Sequence, residues 1–422
     1  MTTRNYLLTA ACALLTLSAQ AQVSIDIDAQ QRGPKVSPML YGIFYEDINH
    51  AADGGLYAEL IRNRSFEDGK RFGAPADMQG WSTFAMAPSQ LDAHLIQPTK
   101  KTPLLNAAQH NALELVVKAT PQLPVCLVNE GFWGINAVQG RTYRLSFWAK
   151  APKYKGTVKA TLCDEKGANL YAETVVSGFP AGKDWQKYEA TLQSNGNDPK
   201  AQFALVFDGV GTVQLDVVSL FPPTFKGREN GCRIDLAEKL QALHPAFMRF
   251  PGGCYVEGNI KPENAYHWER TVGPIECRPG HMNANWGYPT TDGLGFHEFL
   301  QLAEDLGAEP LFVVNVGMGH GWYENYQHIE GYIQEALEAI EYANGDVTTF
   351  WGAKRAEAGH PEALNLRLME IGNENYNYTA NGNNDQSDHY AERYRRFYDA
   401  IKARSPYMTL IGNSDWGSDY PT

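Results

Sequence analysis

No run of lysine and arginine breaks the acidic surplus of this chain. Its 48 Asp and Glu face 36 Lys and Arg, a net charge of −12, which repels phosphate backbones and excludes nucleic acid as a partner. Cys126, Cys163, Cys232, Cys254 and Cys277 show no short paired spacing, so no zinc pattern follows and no metal or cofactor is implied. Also missing are a G-x-S-x-G elbow, an H-E-x-x-H helix, a phosphate-binding loop and a dinucleotide fingerprint. There is no internal repeat and no low-complexity linker. The apolar stretch from Tyr6 to Leu17 falls short of the roughly 20 apolar residues that a membrane span needs. It follows Arg4 and precedes Ala19-Gln20-Ala21, so residues 1–21 read as a cleaved export signal, with a periplasmic or extracellular destination and no membrane span.

What is present suits a large mixed protein, since 422 residues leave room for two or more domains. From 226 to 422 apolar strands alternate with amphipathic helices, the pattern of a parallel α/β sheet. Asp235 reads as the cap of a helix with Leu236, Leu240 and Leu243 on one face, before the strand AFMRF. Phe299, Leu302, Ala303 and Leu306 mark a second helix ending at Gly307, before PLFVVNVG. Ile333, Leu337 and Ile340 mark a third, closed by Gly345 and followed by LMEI. Tyr390, Tyr394, Phe397 and Ile401 mark a fourth, stopped by Ser405-Pro406 before MTLIGNSDW. Upstream, in 22–65, PMLYGIFYED from Pro38 to Asp47 reads as a buried strand with a short helix after Gly55. Between 66 and 225 the period becomes two: Leu113, Leu115, Val117; Tyr143, Leu145, Phe147; Val158, Ala160, Leu162; Phe203, Leu205, Phe207; Val213, Leu215, Val217. Alternation without helices predicts a separate antiparallel β-sandwich inserted in the α/β unit.

The polar clusters fall at the ends of the parallel strands, where such folds place their chemistry. They are Glu46-Asp47, Gly252-Gly253-Cys254, Asn315, Asn373-Glu374 and Asn413-Ser414-Asp415. Glycoside hydrolysis needs a carboxylic acid to protonate the leaving oxygen and a carboxylate opposite it, with neutral amides to hold hydroxyl groups. Glu374 fits the acid, and Asn373 beside it fits a sugar hydroxyl. Asn-Glu-Asn equally suits a turn or a helix cap, Glu46 a surface ion pair, and Arg249 a structural one. Trp133, Trp148 and Trp185 of the insert are expected in its core, with sugar stacking as the alternative. Trp286, between Asn285 and Gly287, is placed to stack on a bound sugar.

The stretches LYGIFYEDINHAADGGLYAELIRNRSFE, FMRFPGGCYVEG, NANWGYPTTDGLGFHEFLQLAEDLGAEPLFVVNVG and EIGNENY resemble the α-L-arabinofuranosidases of glycoside hydrolase family 51. The resemblance covers most of the chain beyond residue 21. It implies an eight-stranded (β/α) TIM-type barrel, a retaining mechanism, and release of terminal α-L-arabinofuranosyl groups from arabinan- or arabinoxylan-type polysaccharides. The insert would then be similar to a carbohydrate-binding domain. Matched residue by residue, Glu374 takes the place of the general acid/base, Asn373 of the sugar-binding amide and Glu46 of the substrate-binding glutamate. Cys254 stands where many members have Asn, and enters as a substrate-binding residue. Members of the family continue to a nucleophilic glutamate near the end of strand seven, so the five strands read here imply an incomplete barrel without its nucleophile. Two other readings stay open: a non-catalytic carbohydrate-binding protein or inactive fragment, and an inverting hydrolase with Asp415 as base.

Overall fold

The computed structural model describes residues 25–28, 30–69, 74–85, 90–100, 102–118, 125–180, 182–375 and 389–412. The expected signal at 1–21 and the Asn413-Ser414-Asp415 cluster lie outside the described residues. The chain divides into two units, Met1–Leu40 and Tyr41–Thr422. In the first, the described residues are exposed coil and turns. Among the described residues, no helix is long and apolar enough to cross a membrane.

The second unit is built on a five-stranded sheet: β1 (Ile43–Phe44), β2 (Phe247–Phe250), β3 (Glu309–Val314), β4 (Leu368–Ile371) and β5 (Thr409–Gly412), paired side by side in that order. Every pairing is parallel. Among the described residues, five helices of two turns or more share its core: α1 (Ile234–Ala242), α2 (Phe296–Leu306), α3 (Glu330–Asn344), α4 (Phe350–Glu357) and α5 (Tyr390–Arg404). Alternation along the strands divides their side chains between two faces. Met248, Phe250, Phe312, Val314, Met369 and Ile371 join the helices in one apolar core. Leu311 and Val313 form a second, small cluster with Phe247, Leu368 and Ile411 on the opposite face. There the sheet also carries Arg249 and Glu370, joined by a bidentate ion pair of 2.6 and 2.9 Å.

Several local expectations are corrected. The strand expected from Pro38 to Asp47 shrinks to Ile43–Phe44, with Tyr41 and Phe44 exposed; among the described residues β1 pairs only with β2. The helix expected after Gly55 is instead a kinked turn over Ala52–Leu56, and Tyr57 beyond it is extended. Gly54, at φ 86°, and Gly55, at ψ −112°, break the helical path. Arg233, not Asp235, occupies the N-cap position of α1, without a side-chain capping bond; Asp235 sits in the first turn paired with Arg233, and Leu243 is exposed beyond the helix end. Helix α4 was not foreseen: it is only Phe350–Glu357, capped by the Thr349 hydroxyl, which accepts from Gly352 N.

Between β1 and β2 in sequence the chain forms two antiparallel sheets. One runs Gln186–Gln193, Thr142–Lys150, Gly211–Phe221, Ala112–Val117, Leu91–Ile96. The other runs Trp81–Phe84, Val125–Asn129, Asp198–Phe207, Val158–Cys163, Leu170–Val175, with Ile135–Ala137 also on the Asp198–Phe207 strand. Leu113, Leu145, Phe147 and Leu215 of the first share one core with Leu127, Leu162, Phe203 and Leu205 of the second. The period slips in Gly211–Phe221: Val217 takes φ 45°, the register shifts between Asp216 and Ser219, and Val218 and Leu220 enter the core where Val217 was expected. This bulge lets Val218 N–H reach the Arg64 carbonyl. Next to it, buried Glu59 accepts from the Ser219 hydroxyl at 2.6 Å and Leu220 N at 2.9 Å. The segment after β1 is thereby tied to the antiparallel sheets.

Phe296 opens α2 and is wholly buried, its ring centroid 4.6 Å from Phe312 and 5.0 Å from Trp268. Phe296→Ala is expected to lower stability by about 3–5 kcal/mol in urea unfolding, through lost burial and the cavity left behind. A loss below about 1 kcal/mol would mean that the helix–sheet core closes around the gap.

Candidate active site

At the C-terminal end of β2, Gly252 and Gly253 lead into a one-turn helix, Cys254–Glu257. Glycine is needed there by close approach: a Cβ on Gly253 would stand 2.6 Å from Asn373 Oδ1, and one on Gly252 would stand 2.9 Å from Glu46 Cγ. Glu46, past the end of β1, accepts through Oε1 from Gly253 N at 2.9 Å and Tyr255 N at 2.8 Å. It thus satisfies amides at the start of the turn that have no partner within it. Its Oε2 has no hydrogen-bond partner among the described residues.

The same turn delivers Glu257, whose side chain is only 1% exposed. Its carboxylate accepts from Asn375 Nδ2 at 2.8 Å, Asn373 Nδ2 at 3.1 Å and His320 Nε2 at 3.2 Å. Burial pushes its pKa up, with the nearby Glu374 adding to the rise, while the His320 and Asn373 bonds hold it down. From the other side Arg249 Nη2 donates to Asn373 Oδ1 at 2.9 Å. The guanidinium is itself fixed by Glu370 and lies 4.4 Å from the centroid of the Phe44 ring. The Asn373 amide therefore has its oxygen assigned to a cation and one N–H to an anion. Its remaining N–H is the group a ligand hydroxyl can use.

Glu374 lies between the two clamped amides. Asn373 and Asn375 are buried while Glu374 is exposed, in the left-handed region at φ 45°. Asn373 N donates to Asn375 Oδ1 at 2.9 Å, so the motif closes on itself as a turn and pushes the glutamate outward. Cys254 Sγ lies 4.0 Å from Glu374 Oε2. Burial, then the charges of Glu257, Glu46 and Glu374, push the Cys254 thiol up to about 12, so it stays protonated at neutral pH. Cys254, Glu257 and His320 bring one donor atom each within 4.8 Å.

Trp286, 40% exposed, sits on the turn of the hairpin His281–Asn283 and Tyr288–Thr290. Asn285 Nδ2 donates to the Cys254 carbonyl, and Tyr288 OH to the Asp47 carbonyl at 2.8 Å, so the hairpin bridges the ends of β1 and β2. Asn315, by contrast, serves structure: it donates to the Val256 carbonyl at 3.0 Å and accepts from Gly317 N at 2.7 Å. Glu46, Cys254, Asn373 and Glu374 thus converge at one end of the sheet, and the Trp286 hairpin joins that end through Asn285. Sequence reasoning missed Glu257 and His320, although Glu257 lies within the quoted GGCYVEG. Its spacing of three from Cys254 puts both on one side of a helical turn, the only local signal it gives.

With the geometry in view, comparison with known proteins is direct. Residues 239–422 match the family model described as the α-L-arabinofuranosidase 1 domain. Residues 129–208 match a carbohydrate binding domain. α-L-Arabinofuranosidase 1 of Arabidopsis thaliana is 36% identical over 407 residues, covering 94% of this chain and 57% of that protein. Over most of its length the chain is similar to α-L-arabinofuranosidases. An extracellular exo-α-L-arabinofuranosidase of Streptomyces chartreusis is also 36% identical, with 100% of this chain and 50% of that protein covered. The arabinose-bound structure of a family 51 α-L-arabinofuranosidase superimposes with a TM-score of 0.80 at 34% identity, over 90% of this chain and 59% of that one. This is a relative of the TIM-barrel family, in keeping with the mixed α/β content. The chain spans between 50% and 57% of the length of these two curated relatives.

Asp47 offers a pH test of this strand end. Burial pushes its carboxyl from 3.8 to about 6, against the bonds from Ala52 N and Tyr288 OH, and its Oδ2 has no partner among the described residues. The native state then holds a proton that the unfolded chain releases between about pH 4 and 6, so Asp47 costs stability as pH rises through that window, up to about 3 kcal/mol. Asp47→Asn should remove this slope. Urea unfolding of both proteins from about pH 4 to 7 should show wild type losing stability relative to the variant; a constant difference contradicts the assignment.

Proposed function

We propose that the chain carries the acid/base part of a retaining α-L-arabinofuranosidase that releases terminal arabinofuranosyl groups from arabinan- or arabinoxylan-type polysaccharides. The observation that carries this is the exposed Glu374 held at a strand end between two amides, each fixed by the buried Glu257 and one also by Arg249. In this reading Glu374 protonates the leaving oxygen and then activates water. Asn373 donates its free N–H to a sugar hydroxyl, Glu46 accepts from another through Oε2, Cys254 contacts the ring as a neutral thiol, and Trp286 stacks on it. Retention also needs a nucleophilic carboxylate about 5–5.5 Å from the acid/base, which we place outside the described residues. The five parallel strands are read as part of an eight-stranded barrel, interrupted between 66 and 225 by a sandwich of carbohydrate-binding type. Two features support export: the apolar Tyr6–Leu17 stretch and the extracellular relative from Streptomyces.

In the active enzyme containing this chain, Glu374→Ala should slow aryl arabinofuranosides with poor leaving groups by about 10²–10⁴-fold and activated ones far less, because these need little protonation. Azide should restore turnover of the activated substrates and give a glycosyl azide of retained configuration. Equal losses on both substrate types with no azide product would return Glu374 to a structural role.

A further inference from the structure

Of the three tryptophans expected in the core of the antiparallel sheets, Trp148 and Trp185 are only partly buried and Trp133 is on the surface. Trp133 is 69% exposed, in a turn that is pinned at several points. Asn129 Oδ1 accepts from Gly131 N at 2.9 Å and from Arg62 N at 3.2 Å, while its Nδ2 donates to the Arg62 carbonyl at 2.9 Å. Arg62 pairs with Glu130 at 3.2 Å, and Gly134 N donates to the Glu130 carbonyl. The neighbouring Phe132 ring lies so close to Gly54 that a Cβ there would be 2.8 Å from it. Trp133 itself takes φ 61°, a conformation that bulky residues rarely adopt. The loop therefore holds a large apolar side chain outward at a backbone cost, and has no freedom to tuck it in.

The direction in which it is held matters. The Trp133 indole meets the His50 ring edge-on at 5.4 Å between centroids, and His50 stacks on Tyr288 at 3.9 Å with an interplanar angle of 22°. His50 follows Glu46-Asp47 at the end of β1. Tyr288 belongs to the hairpin that carries Trp286 and reaches the Cys254 carbonyl through Asn285. A row of rings thus leads from the strand end that holds Glu374 to a loop between the antiparallel strands. That loop lies inside residues 129–208, the stretch that matches a carbohydrate binding domain. His50 and Tyr288 are half-buried and cover each other, so the exposed Trp133 ring is the face they back; a rigid, exposed aromatic face suits the C–H faces of sugar rings, since little conformational freedom is lost on binding.

We propose that Trp133, with His50 and Tyr288, forms a stacking surface for the sugar units of the polysaccharide chain that carries the scissile arabinofuranosyl group. The antiparallel sheets and the parallel strands then hold one ligand jointly. This rests on the function proposed above, and deepens it by placing the part of the substrate that is not released.

The test is calorimetric titration of the purified protein, with Glu374→Gln present throughout to block turnover. The probes are methyl α-L-arabinofuranoside and arabinan-type oligosaccharides from disaccharide to hexasaccharide. Affinity should rise with chain length, and Trp133→Ala should weaken the hexasaccharide about tenfold while leaving the methyl glycoside within about twofold. Trp133→Tyr should recover most of the loss. Equal losses on short and long ligands, or none on the long one, overturn the proposal while the arabinofuranoside site stands. A change in sedimentation on Trp133→Ala with sugar binding intact assigns the surface to a second copy of the chain and overturns it too. Failure of every ligand to bind contradicts the proposed function and this inference with it.

Discussion

A buried carboxylate that receives three donors holds this strand end together. Glu257 takes one N–H each from Asn373 and Asn375 and a third bond from His320. Left without these donors it would be a buried charge of high cost, and left without Glu257 the buried Asn373 amide would lose its acceptor. Each side of the arrangement makes the other tolerable. Because Arg249 claims the Asn373 oxygen, the amide has one orientation, and the residue between the two amides is turned to the surface. Turning Glu374 inward would break the Asn375 contacts on which the buried cluster relies.

The scaffold around this cluster serves close approach. Gly253 lets Asn373 reach the first turn after β2, and Glu46 bonds the amides of that turn from the neighbouring strand. Arg249 and Glu370 face each other across β3 on the side of the sheet away from the helices. An ion pair there is supported by bidentate geometry and by the Phe44 ring, which compensates part of its desolvation. β1 is short and exposed, yet it supplies Glu46, Asp47 and His50, so its value lies in the loop it starts.

Much of this was legible. The helical period found α2, α3 and α5 because each buries one stripe on the sheet, and the period of two found the strands of the antiparallel sheets because both inner faces share a core. Strand β1 was overestimated, since an apolar run does not reveal whether a second neighbour will cover it. Glu374 and Asn373 were legible as a polar stop after an apolar strand. Glu257 was not, because its role depends on a partner 116 residues away. Trp133 was misplaced for a related reason: in Phe132-Trp133 one ring packs on Gly54 and the other faces solvent, and no period of two or 3.6 distinguishes neighbours within a turn.

The most direct measurement is a crystal structure of the protein soaked with a non-hydrolysable arabinofuranoside. The account predicts the furanose ring at the end of β2 and β4, with Asn373 Nδ2 donating to a hydroxyl while Arg249 and Glu257 keep their bonds, and with Glu374 facing the exocyclic oxygen. A ring bound away from Glu374, or an Asn373 amide turned so that its oxygen meets Glu257, would contradict it.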